Sequence, residues 1–451
     1  MTTNPGKPLY AARALLAAAA ICGAHTVAAA AAAPTDSVTV ITAATMIDGL
    51  AARPRSNVAV VVRGDRIVAI TSRDSADLPA GARHIDLGTA TLLPGLIDTH
   101  THIFLQGEVP ADGGYDVQLL KQPLAYRAAR AVVAAQRALE QGFTTLRDMG
   151  TEGAGYGDIG IRQAIDEGLI PGPRLYVSTL AISTTGGYPL EGYAPELTVP
   201  KGVQLADGPV EARRAAREQL DKGADWIKVY MTHRSWVDRE GKLVSQPTLT
   251  VEELRAVVDE VHGWGRKVAC HAYNGIGLKR ALDGGCDSIE HGLDLTDEEV
   301  AQMVKQGTWY VPTLAVYYKD LDPPDTPSGQ RDRQRIALHG ASFTRALRAG
   351  VKMAFGTDVG GFPWSEPIAQ EFSREVEFGM TPMQAIQSAT TRAAELLGLN
   401  GEIGVIAPGA RADLMAVAGD PLADVAALGN AVFVMKAGKV YRPFSGKDAL
   451  H

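Results

Sequence analysis

The sequence predicts an α/β fold: a TIM-type (β/α)8 barrel with a small β-sandwich domain formed from both chain ends. Two patterns carry this reading. The middle of the chain alternates eight short apolar runs with segments of helical period, as parallel βαβ units do. Both ends instead show strand-and-hairpin patterns with no helix between them. The chain of 451 residues, 46% hydrophobic and 21% charged, has the composition of an ordinary globular protein and can bury a large core.

Residues 1–33 read as a signal peptide. Lys7 and Arg13 precede a stretch of Ala, Leu, Ile and Val that ends in an alanine run before Pro34. Cleavage near Ala33 removes those two cations and no acids, taking the formal charge from −7 to −9. The expected location is secreted or periplasmic, with no stable membrane insertion once the leader is gone; an uncleaved anchor is the alternative. Ile21 before Cys22 is bulkier than a lipid-attachment signal accepts. The N-terminal part of the β-domain is expected over 34–92, with Val58 to Val62 and Ile67 to Ile70 making a hairpin. The barrel is expected over 93–400 and the C-terminal part of the β-domain over 401–451, with Leu414 to Val417 and a second hairpin turning at Ala437-Gly438-Lys439.

The eight expected barrel strands are 96–102, 143–149, 174–183, 225–232, 267–273, 288–293, 309–316 and 352–358. Between the first two, Leu124, Ala128, Val132, Ala135 and Leu139 share one helical face, and Gly142 suits the helix C-terminus. Thr250 with Glu253 and Thr296 with Glu299 form capping boxes ahead of apolar helical runs. Thr381, Pro382 and Gln384 begin a last long helix that Gly398 ends. Cys270 and Cys286 are expected as two buried free thiols, with Cys270 turned away from the site residue beside it. The net charge of −7 lacks the basic excess that nucleic-acid binding requires, so no nucleic-acid partner is expected.

In such a barrel, chemistry sits at the C-terminal ends of the strands. The first run ends in His100-Thr101-His102, and strand alternation puts both imidazoles on one side. The fifth ends at His271, the sixth at His291 and the eighth at Asp358. The fourth holds Lys228 within Trp226-Ile227-Lys228-Val229-Tyr230, where a buried ammonium is costly unless paired. It is either an ion-pair partner or, after reaction with CO2, a carbamate able to bridge two cations. Beside four histidines and an aspartate on neighbouring strand ends, the carbamate is the better reading.

Leu93-Pro94-Gly95-Leu96-Ile97-Asp98-Thr99-His100-Thr101-His102 resembles the entry motif of the amidohydrolase superfamily. The order His-x-His, Lys, His, His, Asp is similar to its two-metal members, and most of all to the prolidase-like subgroup, which also includes ochratoxin A hydrolases. The resemblance implies two divalent metal ions. His100, His102 and Asp358 would bind the more buried one and His271 and His291 the more exposed one, with carboxylated Lys228 bridging. Zinc fits the nitrogen-rich set; manganese and cobalt are also compatible. A metal-bridging hydroxide would attack the amide carbonyl, and Asp358 would pass its proton to the departing amine. Asp98 would support the histidines or serve the strand alone. The implied activity is release of a C-terminal, hydrophobic or aromatic amino acid from N-acyl amino acids or dipeptides, including ochratoxin A. The implied assembly is a homo-oligomer, with an octamer the size that relatives suggest.

Substrate-binding candidates are Tyr230, two residues beyond Lys228, Tyr273, two beyond His271, and His233 and Arg234 just past the fourth strand. Many relatives carry Thr-Gly-Gly-His after the third strand, where this chain reads Thr185-Gly186-Gly187-Tyr188, so Tyr188 replaces a histidine beside the pocket. Long loops at 103–123, 184–208 and 317–333 carry Phe104, Tyr188, Tyr193, Tyr317 and Tyr318, with Trp364 after strand eight, and suggest an aromatic pocket. Competing readings are a lactonase or phosphotriesterase with the same metals, a one-metal deaminase that would not need Lys228, and a non-catalytic metal-binding protein.

Overall fold

A computed structural model describes residues 38–108, 114–190, 192–319 and 321–445; the expected leader at 1–33 lies outside them. The fold is mixed α/β. The two ends of the chain meet in one eight-stranded sheet. Its path runs from Lys439–Arg442 through Ala431–Lys436, Leu414–Val417, Thr91–Pro94, Val38–Met46 and Arg55–Arg63 to Arg66–Ser72, with Arg83–Asp86 also on Val38–Met46. The join is the antiparallel pairing of Thr91–Pro94 with Leu414–Val417, Leu414 opposite Pro94 and Val417 opposite Thr91. Alternating residues Val58, Val60 and Val62 are buried together with Ile41, Met46, Leu414, Ala416 and Phe433. This sheet resembles a separate β-sandwich. Both expected hairpins form. The second turns on Ala437 and Gly438, both at positive φ (47° and 73°), the type I′ geometry that matches strand twist.

The middle of the chain supplies parallel strands. Leu96–Thr101, Phe143–Asp148 and Arg174–Val177 form one sheet; Ala181–Ser183, Trp226–Tyr230, Lys267–Ala272, Ser288–His291 and Trp309–Val311 run through another, edged by Val203–Leu205. Helices separate most of them, and Leu96–Thr101, Phe143–Asp148, Trp226–Tyr230 and Ser288–His291 are buried along their length, as expected of parallel strands covered on both faces. The expected capping boxes at Thr250 and Thr296 are present, and Thr381 with Gln384 forms a third at the start of the last helix.

Several details depart from expectation. The third run breaks at Thr179, whose φ is 57°, into two strands. The run 352–358 is no regular strand. Met353 bridges Tyr310, and Asp358 N–H donates to the His100 carbonyl, but the left-handed φ of 60° at Asp358 ends any ladder there. The helix Leu124–Glu140 packs Ala128, Val132, Ala135 and Leu139 of the expected face on the core, while Leu124 is 55% exposed and Ala131, Ala134 and Ala138 widen the buried face. These small side chains let the helix lie close, and Gly142 at φ 94° follows it where a Cβ would strike Met415. The final helix is interrupted by a π-helical segment, Ser388–Arg392. A hairpin, Thr232–Val237 with Leu243–Pro247, follows the fourth strand without any forewarning. Among the described residues no helix is long and apolar enough to cross a membrane.

The expectation of two free thiols is overturned. Cys270 and Cys286 form a disulfide with Cα atoms 6.1 Å apart, inside the usual reach. Cys270 alternates with His271 and so faces the helical layer, and helix Gly275–Gly284 returns the chain to place Cys286 just before the adjacent strand. Closing a loop of this size contributes about 3 kcal/mol through the unfolded state. Reduction, or Cys286→Ser, should therefore lower unfolding stability in urea by about that amount. An unchanged midpoint, with two titratable thiols in the unreduced unfolded protein, would show that the bridge does not form.

Candidate metal centre

Four strand ends and the irregular run 352–358 bring His100, Lys228, His271, His291 and Asp358 to one rim. Donor atoms of His100, His291 and Asp358 lie within 4.8 Å of one another. His100 Nε2 is 3.6 Å from Asp358 Oδ1 and 3.2 Å from Lys228 Nζ, and His102 Nε2 is 3.3 Å from Asp358 Oδ1. The ring of His271 packs 4.4 Å from that of His291. His271 Nε2 is buried without a hydrogen-bond partner among the described residues, as a lone pair kept for a cation would be. All six expected ligands thus sit together, five of them buried and Asp358 partly open.

Three of the four imidazoles are held from behind through the other nitrogen, the arrangement that fixes tautomer and aim at a metal. His100 Nδ1 bonds Glu290 at 2.7 Å, His102 Nδ1 the Gly150 carbonyl at 2.8 Å and His291 Nδ1 the Thr313 hydroxyl at 2.7 Å. Glu290 in turn accepts from Arg147 at 2.9 and 3.1 Å, and Arg147 stacks on Trp226 at 4.5 Å and donates to the Thr99 carbonyl. Asp98 accepts from the Thr357 hydroxyl at 2.6 Å and from the backbone N–H of His100 and Thr357. It therefore couples the first strand to the segment bearing Asp358. Sequence reading missed Glu290 and Arg147. The only signals were a charged residue in each of two otherwise buried runs, Leu146-Arg147-Asp148 and Ile289-Glu290-His291.

Burial holds the pKa of His100, His271 and His291 well below the ordinary imidazole value, with neighbouring Lys228 and histidines adding to the effect. Neutral imidazoles are the form that ligates metal. Burial also lowers Lys228 to about 8, against the pull of Glu290 and Asp358, so a useful fraction is free amine near neutrality. His102 is different: burial opposes its charge, but the bond to Asp358 outweighs that and raises it to about 9.

The expected substrate residues fall into two groups. Tyr188 and Tyr230 both direct their phenols at Glu152, at 2.8 and 3.4 Å, and Tyr115 joins them at 2.9 Å. The hydroxyl that was to replace a histidine at Tyr188 is thus committed to a buried carboxylate. Its ring packs on His233 at 4.3 Å. Tyr273 lies over His271 at 4.4 Å, with Tyr317 6.5 Å beyond it. Arg234 is half-buried on the strand Thr232–Val237. Arg335, from helix Pro327–Ala349, donates to Ser235 of that strand and pulls against the burial that raises Tyr273 and Tyr317; nothing in the sequence singled it out. Phe104 and Trp364 do not wall the site. Both are buried in the core, and the Trp364 indole donates to the His102 and Leu105 carbonyls. Tyr193 is exposed, and Tyr318 lies under Arg374.

The Amidohydrolase family model matches residues 91–441. Ochratoxinase of Aspergillus niger is 31% identical over 435 residues, covering 90% of this chain and 87% of its own. A crystal structure of a Xaa-Pro dipeptidase with methionine bound in its active site superposes with a TM-score of 0.79 at 34% identity, covering 90% of this chain and all of that one. A prolidase complexed with N-methylphosphonate-L-proline gives the same TM-score at 30% identity and the same coverages.

Removing the carboxylate behind His100 tests the arrangement. Glu290→Gln leaves Arg147 without its buried counter-ion and weakens the hold on His100 Nδ1. Metal affinity, measured against a competing chelator, should fall about 10–100-fold, and unfolding stability by about 3–5 kcal/mol. Unchanged metal affinity would show that Glu290 serves packing alone.

Proposed function

This chain belongs to the amidohydrolase family, and from that premise we propose that it hydrolyses N-acyl amino acids or dipeptides, releasing a C-terminal hydrophobic or aromatic amino acid. Ochratoxin A is a candidate within that class. A hydrolase acting on amide bonds follows from the family. The observation carrying the finer reading is the convergence of His100, His291 and Asp358 donors beside a buried Lys228. That donor set fits two divalent cations: His100, His102 and Asp358 would hold one, His271 and His291 the other, and a carbamate on Lys228 would join them. Bound there, such cations supply Lewis acidity and make water acidic enough to attack at neutral pH.

The protein's own groups do the rest. Asp358, open to the rim on one side, takes the proton of the attacking water and returns it to the amine nitrogen as the C–N bond breaks and the C–O bond forms. Tyr273 and Tyr317, kept protonated by burial, flank the histidines and offer an aromatic wall to the leaving side chain. His233 and Arg234 supply the positive partner for a free carboxylate. Two relatives hold methionine and an L-proline phosphonate, ligands of the amino-acid class, which supports this orientation. We further read residues 93–400 as a closed (β/α)8 barrel between the β-domain portions 34–92 and 401–451, and the protein as exported and homo-oligomeric.

The reconstituted protein should carry close to two divalent cations per chain. Lys228→Ala should lose metal and turnover together, and short carboxylic acids, which fit the vacated space and provide two anionic oxygens, should restore part of both. Normal zinc and normal turnover in Lys228→Ala would leave the lysine as an ion-pair partner only.

Substrate class is tested by amidating the C-terminus of an N-acyl phenylalanine. A charge-assisted contact to the carboxylate is roughly twice as strong as a neutral one, so kcat/KM should fall at least about tenfold. A phenylalanine leaving group should also be preferred over glycine, since burying a large apolar side chain contributes roughly 1.5–3 kcal/mol. Equal rates on free and amidated substrates, or turnover of lactones alone, would overturn the assignment.

A further inference from the structure

The N-terminal ends of the parallel strands, opposite the metal centre, border a cavity of about 940 Å³. Arg162, Arg174 and Arg266 enter it from the strand-and-helix region, and Arg411, Lys436 and Lys439 from the eight-stranded sheet. Asp166 and Asp225 are the only acids on its wall. Six cations around one cavity are out of keeping with a chain whose net charge is −7. Nearby acids answer only some of them. Asp225 takes Arg162 at 2.5 Å and Arg266 at 3.5 Å, Asp413 takes Arg174 at 2.8 Å and Asp65 takes Arg411 at 3.0 Å. Among the described residues, Lys436 donates to the Gly172 carbonyl at 2.6 Å and feels Asp413 and Asp166 without a direct ion pair, and Lys439 lies over the Tyr441 ring at 5.2 Å.

We propose that this cavity is a second, non-catalytic site that binds a small phosphate-bearing anion. Four of the six cations are arginines, whose planar fork matches phosphate oxygens in pairs. Lys439 forms no direct ion pair among the described residues, and Lys436 has only longer-range carboxylates, Asp413 and Asp166. Tyr176 and Tyr441 on the same wall would accommodate an organic group if the ligand is a phosphate ester. Because the cations come from both the eight-stranded sheet and the parallel-strand region, an anion bridging them ties the two together and raises resistance to unfolding by mass action. The position, at the far end of the strands from the metal centre, makes occupancy independent of turnover.

The test is calorimetric titration of the metal-loaded protein with inorganic phosphate at constant ionic strength, alongside Arg266→Gln/Lys439→Gln. Both substituted residues are solvent-facing, and neither touches the metal centre. Phosphate held by the metals is common to both proteins, so their difference isolates the cavity. The unaltered protein should bind one more phosphate per chain than the double variant, or bind it at least about tenfold more tightly, with a matching rise in melting temperature and unchanged amide hydrolysis in the variant. Should the double variant fold poorly, Lys439→Glu alone provides the same contrast by reversing one surface charge. Phenyl phosphate binding more tightly than inorganic phosphate would identify an ester ligand; equal binding would identify the free ion. Superimposable isotherms for the two proteins, or a thermal shift that chloride reproduces at equal ionic strength, would overturn the site.

Discussion

The Glu290 carboxylate, fully buried between Arg147 and His100, is the contact on which the rest of the centre depends. A charge in that position can be kept only if its partners are fixed, because removing either one leaves an uncompensated ion in the interior. Arg147 meets it with two nitrogen-to-oxygen contacts and is itself pinned by Trp226 and the Thr99 carbonyl. His100 Nδ1 is thereby engaged, which leaves Nε2 as the atom presented to Lys228 and Asp358. One buried ion pair thus decides the aim of the first histidine, and Asp98, bonded to Thr357 and to the His100 backbone, carries that aim across to the opposite segment.

Backbone conformation is arranged to the same end. Seven described residues other than glycine have positive φ; Glu152, Thr179, His291 and Thr313 lie at or just beyond the C-terminal ends of parallel strands, and Asp358 closes the irregular run 352–358. Such conformations cost of order 1–3 kcal/mol each and persist only where the surroundings over-determine them. At His291 the left-handed turn ends the strand, at Asp358 it ends the irregular run, and each places an expected metal ligand at the rim. Thr313 uses its turn to place the hydroxyl that holds His291 Nδ1. The stability lost at the rim is offset by the uninterrupted apolar packing beneath it, where strand residues such as Ile97, Ile227, Val268 and Ile289 have no exposure.

This division explains what was legible in the sequence. His100, His102, Lys228, His271, His291 and Asp358 could be picked out because polar residues stand out at the ends of apolar runs, and capping boxes at Thr250, Thr296 and Thr381 announce themselves by local spacing. Contacts made across the chain leave no such mark. Glu290 and Arg147 are 143 residues apart, and neither looks unusual alone. The Cys270–Cys286 bridge depends on how helix Gly275–Gly284 turns back, which periodicity does not encode. Residues 352–358 read as a strand from composition, yet the turn at Asp358 and the side-chain bonds of Thr357 compete with the ladder. The apolar face of Leu124–Glu140 was legible except at Leu124, which is exposed, while the alanines that widen it, Ala131, Ala134 and Ala138, are weak in any hydropathy pattern.

The aromatic residues require a similar separation. Loop aromatics looked equivalent in the sequence, but three phenols, Tyr115, Tyr188 and Tyr230, gather on Glu152, and a buried carboxyl group is costly without hydrogen-bond partners. Their first role is to satisfy Glu152, which itself lies 3.7 Å from His102 Nδ1; Tyr188 therefore stabilises the wall of the site. Tyr273 and Tyr317 are not tied to that carboxylate and lie on the His271 and His291 side, close enough to Arg335 for its charge to act on both. This second group combines apolar ring faces with a cationic neighbour, and under the proposed function it is the surface that would meet the leaving side chain. Tyr188, where the family resemblance leads one to expect a histidine, thus spends its hydroxyl on Glu152 in the wall of the site.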